Sequence, residues 1–147
     1  MIFLYPLLAL VSFLFTLLTY VLAPLLAMTA DAGGNLPVCL RWFQTFDATL
    51  DEGRNYGYTG SAWWVRTRWL WRNPGYGLDL FLGANYDPRE WHVLHHTDQS
   101  FVAVGPKLRF EIQAPHCKLG WKASHNLNSA PTTPYWTRIP LVFSIKK

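Results

Sequence analysis

No Asp, Glu, Lys, Arg or His occurs in the first 30 residues of this 147-residue chain; the first is Asp31. All nine acids, thirteen bases and five histidines come later. Charge is scarce overall, at 15% of residues against 50% hydrophobic and 16% aromatic, which excludes a disordered chain. The average hides two parts: one uncharged apolar run, and a remainder of ordinary domain size. A single run excludes a multi-pass transporter, and its length argues against a fully soluble globular protein. Cysteine is also sparse. Cys39 and Cys117 make no disulfide framework; they stay reduced in a cytosol or pair in a periplasm, and the sequence does not choose. Internal repeats, low-complexity tracts, phosphate-cradling glycine loops and nucleophile elbows are missing. Gly75-Tyr-Gly77 follows no evident strand and precedes neither Lys-Ser nor Lys-Thr.

What is present first is the apolar run, residues 2–28. A bilayer core about 30 Å thick needs about 20 helical residues, so the run is long enough to cross once and too short to cross twice. Pro6 falls in the first turn, where a missing N–H costs little, and Pro24 is expected to kink the helix or mark its exit from the hydrocarbon. Tyr5 and Tyr20 are candidate interface markers. The alternative is a cleaved signal peptide ending near Met28-Thr-Ala-Asp-Ala32. Against it, no Lys or Arg precedes the run, which is about twice a usual signal core. The expected organisation is a transmembrane anchor over 1–30, a linker over 31–37 and a membrane-proximal domain over 38–147. Arg41, Arg54, Arg66, Arg68 and Arg72 all follow the helix, which places that domain in the cytoplasm by the positive-inside rule.

Beyond the linker, Pro37 suits the first turn of a short helix over 38–43, and 45–60 reads as a loop. Residues 61–72 read as a helix, capped by Ser61 and stopped by Asn73-Pro74-Gly75, although its alternate Trp and Arg residues also suit a strand. Past Pro88 the period changes to two. In Lys107-Leu-Arg-Phe-Glu-Ile-Gln113, Leu108, Phe110 and Ile112 are expected to face the core and the charges solvent. Residues 91–97, 101–104, 118–122 and 138–145 are candidate partners, with a polar connection over 124–134 and Pro140 placing the last strand at an edge. The class expected is α+β, with an antiparallel sheet of four or five strands.

Trp42-Phe-Gln-Thr-Phe-Asp-Ala-Thr-Leu-Asp-Glu-Gly53 and Arg68-Trp-Leu-Trp-Arg-Asn-Pro-Gly-Tyr-Gly-Leu-Asp79 lie between the apolar helix and two later stretches, Gly120-Trp-Lys122 and Val142-Phe-Ser-Ile-Lys146. Together they resemble a family of short uncharacterised proteins of tailed bacteriophages and prophages. The resemblance covers most of the chain and departs at Phe46, where that family is associated with Pro. It implies a phage origin and a bacterial host membrane, and it carries over no catalytic residue.

Three constellations invite chemistry. His92-Val-Leu-His95-His96 has the spacing of one desaturase histidine box, but five histidines and one apolar helix are too few for that di-iron site. A single zinc held by His92, His95, His96, His116 and Cys117 needs ligands that converge, whereas a regular strand turns His95 away from His92 and His96. The favoured reading is a polar edge strand with solvent-facing histidines and no metal. Asp47-Ala-Thr-Leu-Asp-Glu-Gly53 lacks the glycine and glutamate of a calcium loop, having Glu52 and Tyr58 in those places, so Asp47 and Asp51 are expected to form Asx-type turns. In the third, seven of the ten residues from Trp63 to Arg72 are Trp or Arg. Trp63, Trp64, Trp69 and Trp71 suit a headgroup region, and Arg66, Arg68 and Arg72 each gain about 1 kcal/mol near anionic lipid. The competing reading puts the Trp residues in a core and the Arg residues on its solvated face. A net charge of +4 is too thin to favour nucleic acid.

The functional expectation is a single-pass, phage-type protein of the host inner membrane. It acts by binding, without cofactor or catalysis, in envelope modification or superinfection exclusion. Its partners are the bilayer and a host or phage membrane protein. A one-helix holin-like lysis accessory and a metal-dependent enzyme using the histidines are the alternatives.

Overall fold

A computed structural model describes residues 2–127 and 137–145. After a 3-10 turn at Ile2–Leu4, one α-helix, α1, runs from Tyr5 to Thr29 and continues through Pro24. The chain divides into two compact units, Ser12–Leu78 and Met1–Val11 with Asp79–Lys147. This division cuts within α1, and each unit buries its own stretch of the helix.

In the Ser12–Leu78 unit the expected linker is a tight turn. Asn35 N–H donates to Asp31 Oδ1 at 2.8 Å, and Gly34 takes φ +76°, a conformation glycine adopts without strain. A 3-10 helix over Val38–Phe43 follows Pro37 as expected, and the loop after it contains a second, Leu50–Arg54. Helix α2, Ala62–Arg72, settles the helix-or-strand ambiguity: Ser61 Oγ accepts from Trp64 N–H at its start, and Asn73 ends it. Helix α3, Tyr76–Phe81, begins in this unit. Ala23, Leu26, Leu36, Phe43, Leu50, Trp69 and Leu70 form the core.

The Trp42-Phe-Gln-Thr motif is structural. Gln44 is buried: its Oε1 accepts Leu36 N–H at 2.8 Å and its Nε2 donates to Ala48 O at 3.1 Å, which holds the loop shut. Phe46 stacks on Tyr76 at 5.5 Å between ring centres. Gly77 lies against this motif so closely that a Cβ would come within 2.4 Å of Arg41 O.

The second unit carries the antiparallel sheet. Its strands β2 (His92–His96), β3 (Phe101–Gly105), β4 (Arg109–Ala114), β5 (Cys117–Trp121) and β7 (Leu141–Ile145) lie in that order, while β1 (Ala84–Asn85) pairs separately with β6 (Arg138–Ile139). The α+β class and the five-stranded sheet are therefore as expected. Pro140 separates β6 from β7, and β7 lies at an edge. Of the expected polar connection, Ser124–Leu127 forms a short helix, α4, and 128–134 lie outside the described residues.

Of the residues of β4 and its start expected to face the core, Phe110 packs against it, whereas Leu108 and Ile112 are exposed. Lys107 and Leu108 take φ +56° and +58°, so the strand starts at Arg109 and Leu108 is left exposed. Glu111 is fully buried and Ile112 is 37% exposed. The reason lies in the pairing: Glu111 stands opposite Ala103, itself fully buried, on a face shared with Phe101. Phe110 lies on the other face, edge-on to Tyr5 at 5.0 Å and to Trp121 at 6.1 Å. Alternation identifies the two faces of a strand but not which one the protein covers more completely.

Candidate membrane-facing surface

Helix α2 is capped by Ser61 and buries Val65, Thr67, Trp69 and Leu70, which spread around more than half of its circumference. The seven Trp and Arg residues have divergent positions. Trp69 is 5% exposed and belongs to the core, which leaves it no surface for a headgroup. Arg66 makes a two-pronged pair with Asp51, Nε to Oδ1 at 2.8 Å and Nη2 to Oδ2 at 2.7 Å, with side chains 11% and 29% exposed. The hydrogen bonds from Arg66, helped by its charge, hold the Asp51 carboxyl below its usual range. Asp51 thus pairs across fifteen residues, where an Asx-type turn was expected. Arg68 lies over the Tyr58 ring at 4.1 Å and Arg72 over Tyr56 at 4.2 Å. All three cations have partners inside the protein.

Trp63 and Trp71 sit beside α1, and the Trp64 ring lies against both of them. A proline inside a helix removes the donor that the carbonyl four residues earlier expects. For Pro24 that carbonyl belongs to Tyr20, and Trp71 Nε1–H donates to it at 3.0 Å. Trp63 Nε1–H donates to Pro24 O at 2.8 Å. These indoles clamp α2 to the proline site, while 43% of Trp63 and 39% of Trp64 remain exposed.

An extended exposed apolar surface lies on α1. Tyr5, Ala9, Ser12, Thr19, Ala23, Leu26 and Ala27 are buried, and they share one side of the helix. The other side presents Leu4, Leu7, Val11, Leu14, Leu18, Val21, Leu25 and Met28 in steps of three and four, flanked by Phe3, Leu10, Phe13, Leu17 and Tyr20. Their exposure runs from 41% at Val11 to 88% at Phe3. By length and composition α1 is one helix long and apolar enough to cross a membrane. Sequence reasoning recognised the helix but not its two faces, because both lack charge. The one available signal was size, with small residues inward and large ones outward.

All five residues of β2 are exposed at the sheet edge, so His92, His95 and His96 face solvent, as the favoured reading expected. A bulge between Val93 and His95 breaks the regular alternation, and His95 Nε2 lies 2.8 Å from Ser100 Oγ. Among the described residues no three His, Cys, Asp or Glu side chains gather as a metal site, and Cys39 and Cys117 are free thiols. The one deeply buried carboxylate, Glu111, accepts from Ser124 N–H (2.6 Å), Ser124 Oγ (2.9 Å) and Gln113 Nε2 (2.6 Å). Burial pushes its carboxyl pKa up, against the pull of those donors.

The model of a family of unknown function matches residues 1–109, which include α1, the Trp42 motif, α2 and the strands β2 and β3. No curated protein and no solved structure matches the chain.

Proposed function

The chain belongs to that family of unknown function (DUF7338), and on this premise we propose that it is a membrane-seated binding protein. Our reading is that it is phage-encoded and works at the inner membrane of a bacterial host. The observation that carries the membrane part is the uncharged, outward apolar face of α1. No Asp, Glu, Lys, Arg or His interrupts it before Asp31, and a side chain of that kind would be costly in hydrocarbon. Trp63, exposed beside the proline site, and the adjoining exposed Trp64 suit the headgroup level. The phage origin rests on the resemblance described above. The arginines after α1 favour a cytoplasmic position for the folded part. Binding is favoured over catalysis because the best candidate groups have structural partners: Asp51 is held by Arg66, and Glu111 by Ser124 and Gln113. Envelope modification or exclusion of a second phage is the process such a protein would serve.

Fractionation of host cells producing the full chain tests the seating: the protein should sediment with membranes, and Leu14→Lys with Leu18→Lys should release it into the soluble fraction. Unchanged sedimentation of that variant would remove the reading's main support. Induction should leave cells intact; abrupt growth arrest would favour the lysis alternative.

A further inference from the structure

We propose that the sheet unit holds a binding site for a phosphate monoester, in an open recess of about 390 Å³ whose walls include Asn85, Glu90, Lys107, Arg109 and Arg138. All of these residues belong to one unit, so the proposal goes beyond the membrane reading and does not depend on it.

Three cations line the recess, and none has an anionic partner. The ion pairs among the described residues are Arg66 with Asp51 and Arg89 with Asp87. Arg138 is fixed by neutral acceptors: it donates to Leu80 O at 2.8 Å, to Phe81 O at 2.7 Å, and to Gly83 O and Asn85 Oδ1 at 3.2 Å. Those bonds hold the guanidinium in place without cancelling its charge. Arg109, at the start of β4, has its guanidinium carbon 5.9 Å from the Trp121 ring centre, and its Nε is buried with no acceptor among the described residues. A buried donor of that kind ordinarily has a partner. Lys107 is exposed and makes no ion pair or hydrogen bond among the described residues. Tyr86 Oη, Trp91 Nε1 and Trp121 Nε1 are likewise buried without partners, and they lie in the same unit. Every one of these groups can donate, so the unit is short of acceptors, which an anion supplies.

The backbone beside the recess is held against its own preference. Lys107 and Leu108 take φ +56° and +58° in succession, a strained conformation for residues with side chains. Outliers of this kind cluster at ligand clamps, and this turn carries Lys107 and leads directly into Arg109.

The charge balance selects the ligand. Against three cations stands one carboxylate, Glu90, which leaves two positive charges to be matched. A carboxylate or a phosphodiester brings one negative charge. A phosphate monoester brings about 1.5–2 near neutral pH with three acceptor oxygens, suited to a guanidinium fork and a lysine. The recess falls within the roughly 300–1,000 Å³ of small-molecule sites, which admits the alcohol part of the ester as well, and Glu90 can accept from a hydroxyl on it. The same headgroup chemistry occurs in soluble sugar or glycerol phosphates and in phosphatidic acid.

The test is calorimetric titration of the full chain in mild detergent with glycerol 3-phosphate, using dimethyl phosphate and acetate at equal ionic strength as singly charged controls. Glycerol 3-phosphate should bind saturably and about tenfold or more tighter than either control. Arg109→Gln and Lys107→Gly should each weaken it about tenfold. Glycine accepts the left-handed conformation without strain, so Lys107→Gly should melt no lower than the parent, which separates lost binding from unfolding. Short-chain phosphatidic acid in the same detergent distinguishes the sources. Tighter binding than glycerol 3-phosphate, lost in both variants, assigns the site to a lipid headgroup; equal or weaker binding assigns it to a soluble ester. No saturable binding of either monoester, parental affinity in both variants, or acetate binding as tightly as glycerol 3-phosphate would overturn the proposal. Each of those results leaves sedimentation with membranes, and the reading built on it, untouched.

Discussion

Replacing Arg66 with Gln separates a structural arginine from a lipid-binding one. The pair it forms with Asp51 is short on both prongs, and its members keep 11% and 29% of their side-chain exposure. Removing one member of a fully buried pair costs about 3–5 kcal/mol, whereas a fully exposed pair contributes about 0–1. Asp51 retains some water, so the expected cost lies between these limits, at about 2 kcal/mol, a roughly thirtyfold change in the unfolding constant. Gly34 keeps the arrangement exact: a Cβ there would come within 2.5 Å of Asp51 Oδ2. Denaturant titration of the full chain in mild detergent, followed by Trp fluorescence, reads the loss. Arg66→Gln combined with Asp51→Asn should cost less than the sum of the two, with a coupling of about 1–2 kcal/mol. Arg68→Gln and Arg72→Gln, each losing only a ring contact, should cost about 0.5–1 kcal/mol. Because the Asp51 carboxyl is held low, its stabilisation is complete above the usual carboxylate range and is lost as pH falls through its depressed value. If Arg66→Gln unfolds within about 0.5 kcal/mol of the parent, or shows no coupling to Asp51, the pair is not holding α2 in place and the reasoning fails.

Glu111→Ala should cost about 3 kcal/mol in thermal unfolding, because it strands three donors beside a buried site. With its folded pKa raised, Glu111 gives most stability at low pH and loses it as pH rises from the ordinary 4.5 through the raised value; Glu111→Gln should flatten that slope, and an unchanged slope would assign it to other groups. Gly77→Ala should destabilise by about 2–3 kcal/mol in the same assay, since Arg41, Gln44 and Trp42 carbonyls all stand within 3 Å of the new Cβ; near-parental melting would show that the backbone gives way there. Trp71→Phe should cost about 1 kcal/mol by leaving the Tyr20 carbonyl unbonded, and less in a Pro24→Ala background, where the helix supplies its own donor; equal costs in the two backgrounds would refute that role for the indole.

Elements were legible where a local rule suffices. An uncharged run of apolar residues makes α1 whatever surrounds it, Ser61 and Asn73-Pro74-Gly75 bracket α2, and a period of two in short segments joined by turns marks the strands. In each case the controlling physics acts within a turn of helix or between neighbouring residues. The bulge in β2 and the left-handed pair Lys107–Leu108 escaped because they answer to partner strands and packing.

The sequence by itself determined that a long apolar helix precedes an α+β remainder, that the histidines lie on a polar strand, and that Trp and Arg concentrate on one helix. Tertiary structure alone decided what those residues do. Asp51 meets Arg66 across fifteen residues, Trp71 reaches the carbonyl that Pro24 leaves without a helical donor across fifty-one, and Glu111 turns inward because Ser124 and Gln113 are there to receive it. The same holds for α1. Hydropathy cannot distinguish a face covered by protein from a face left open, because both are apolar; only the contacts of Tyr5 and Pro24 with distant parts of the chain make one side inner and leave the other exposed.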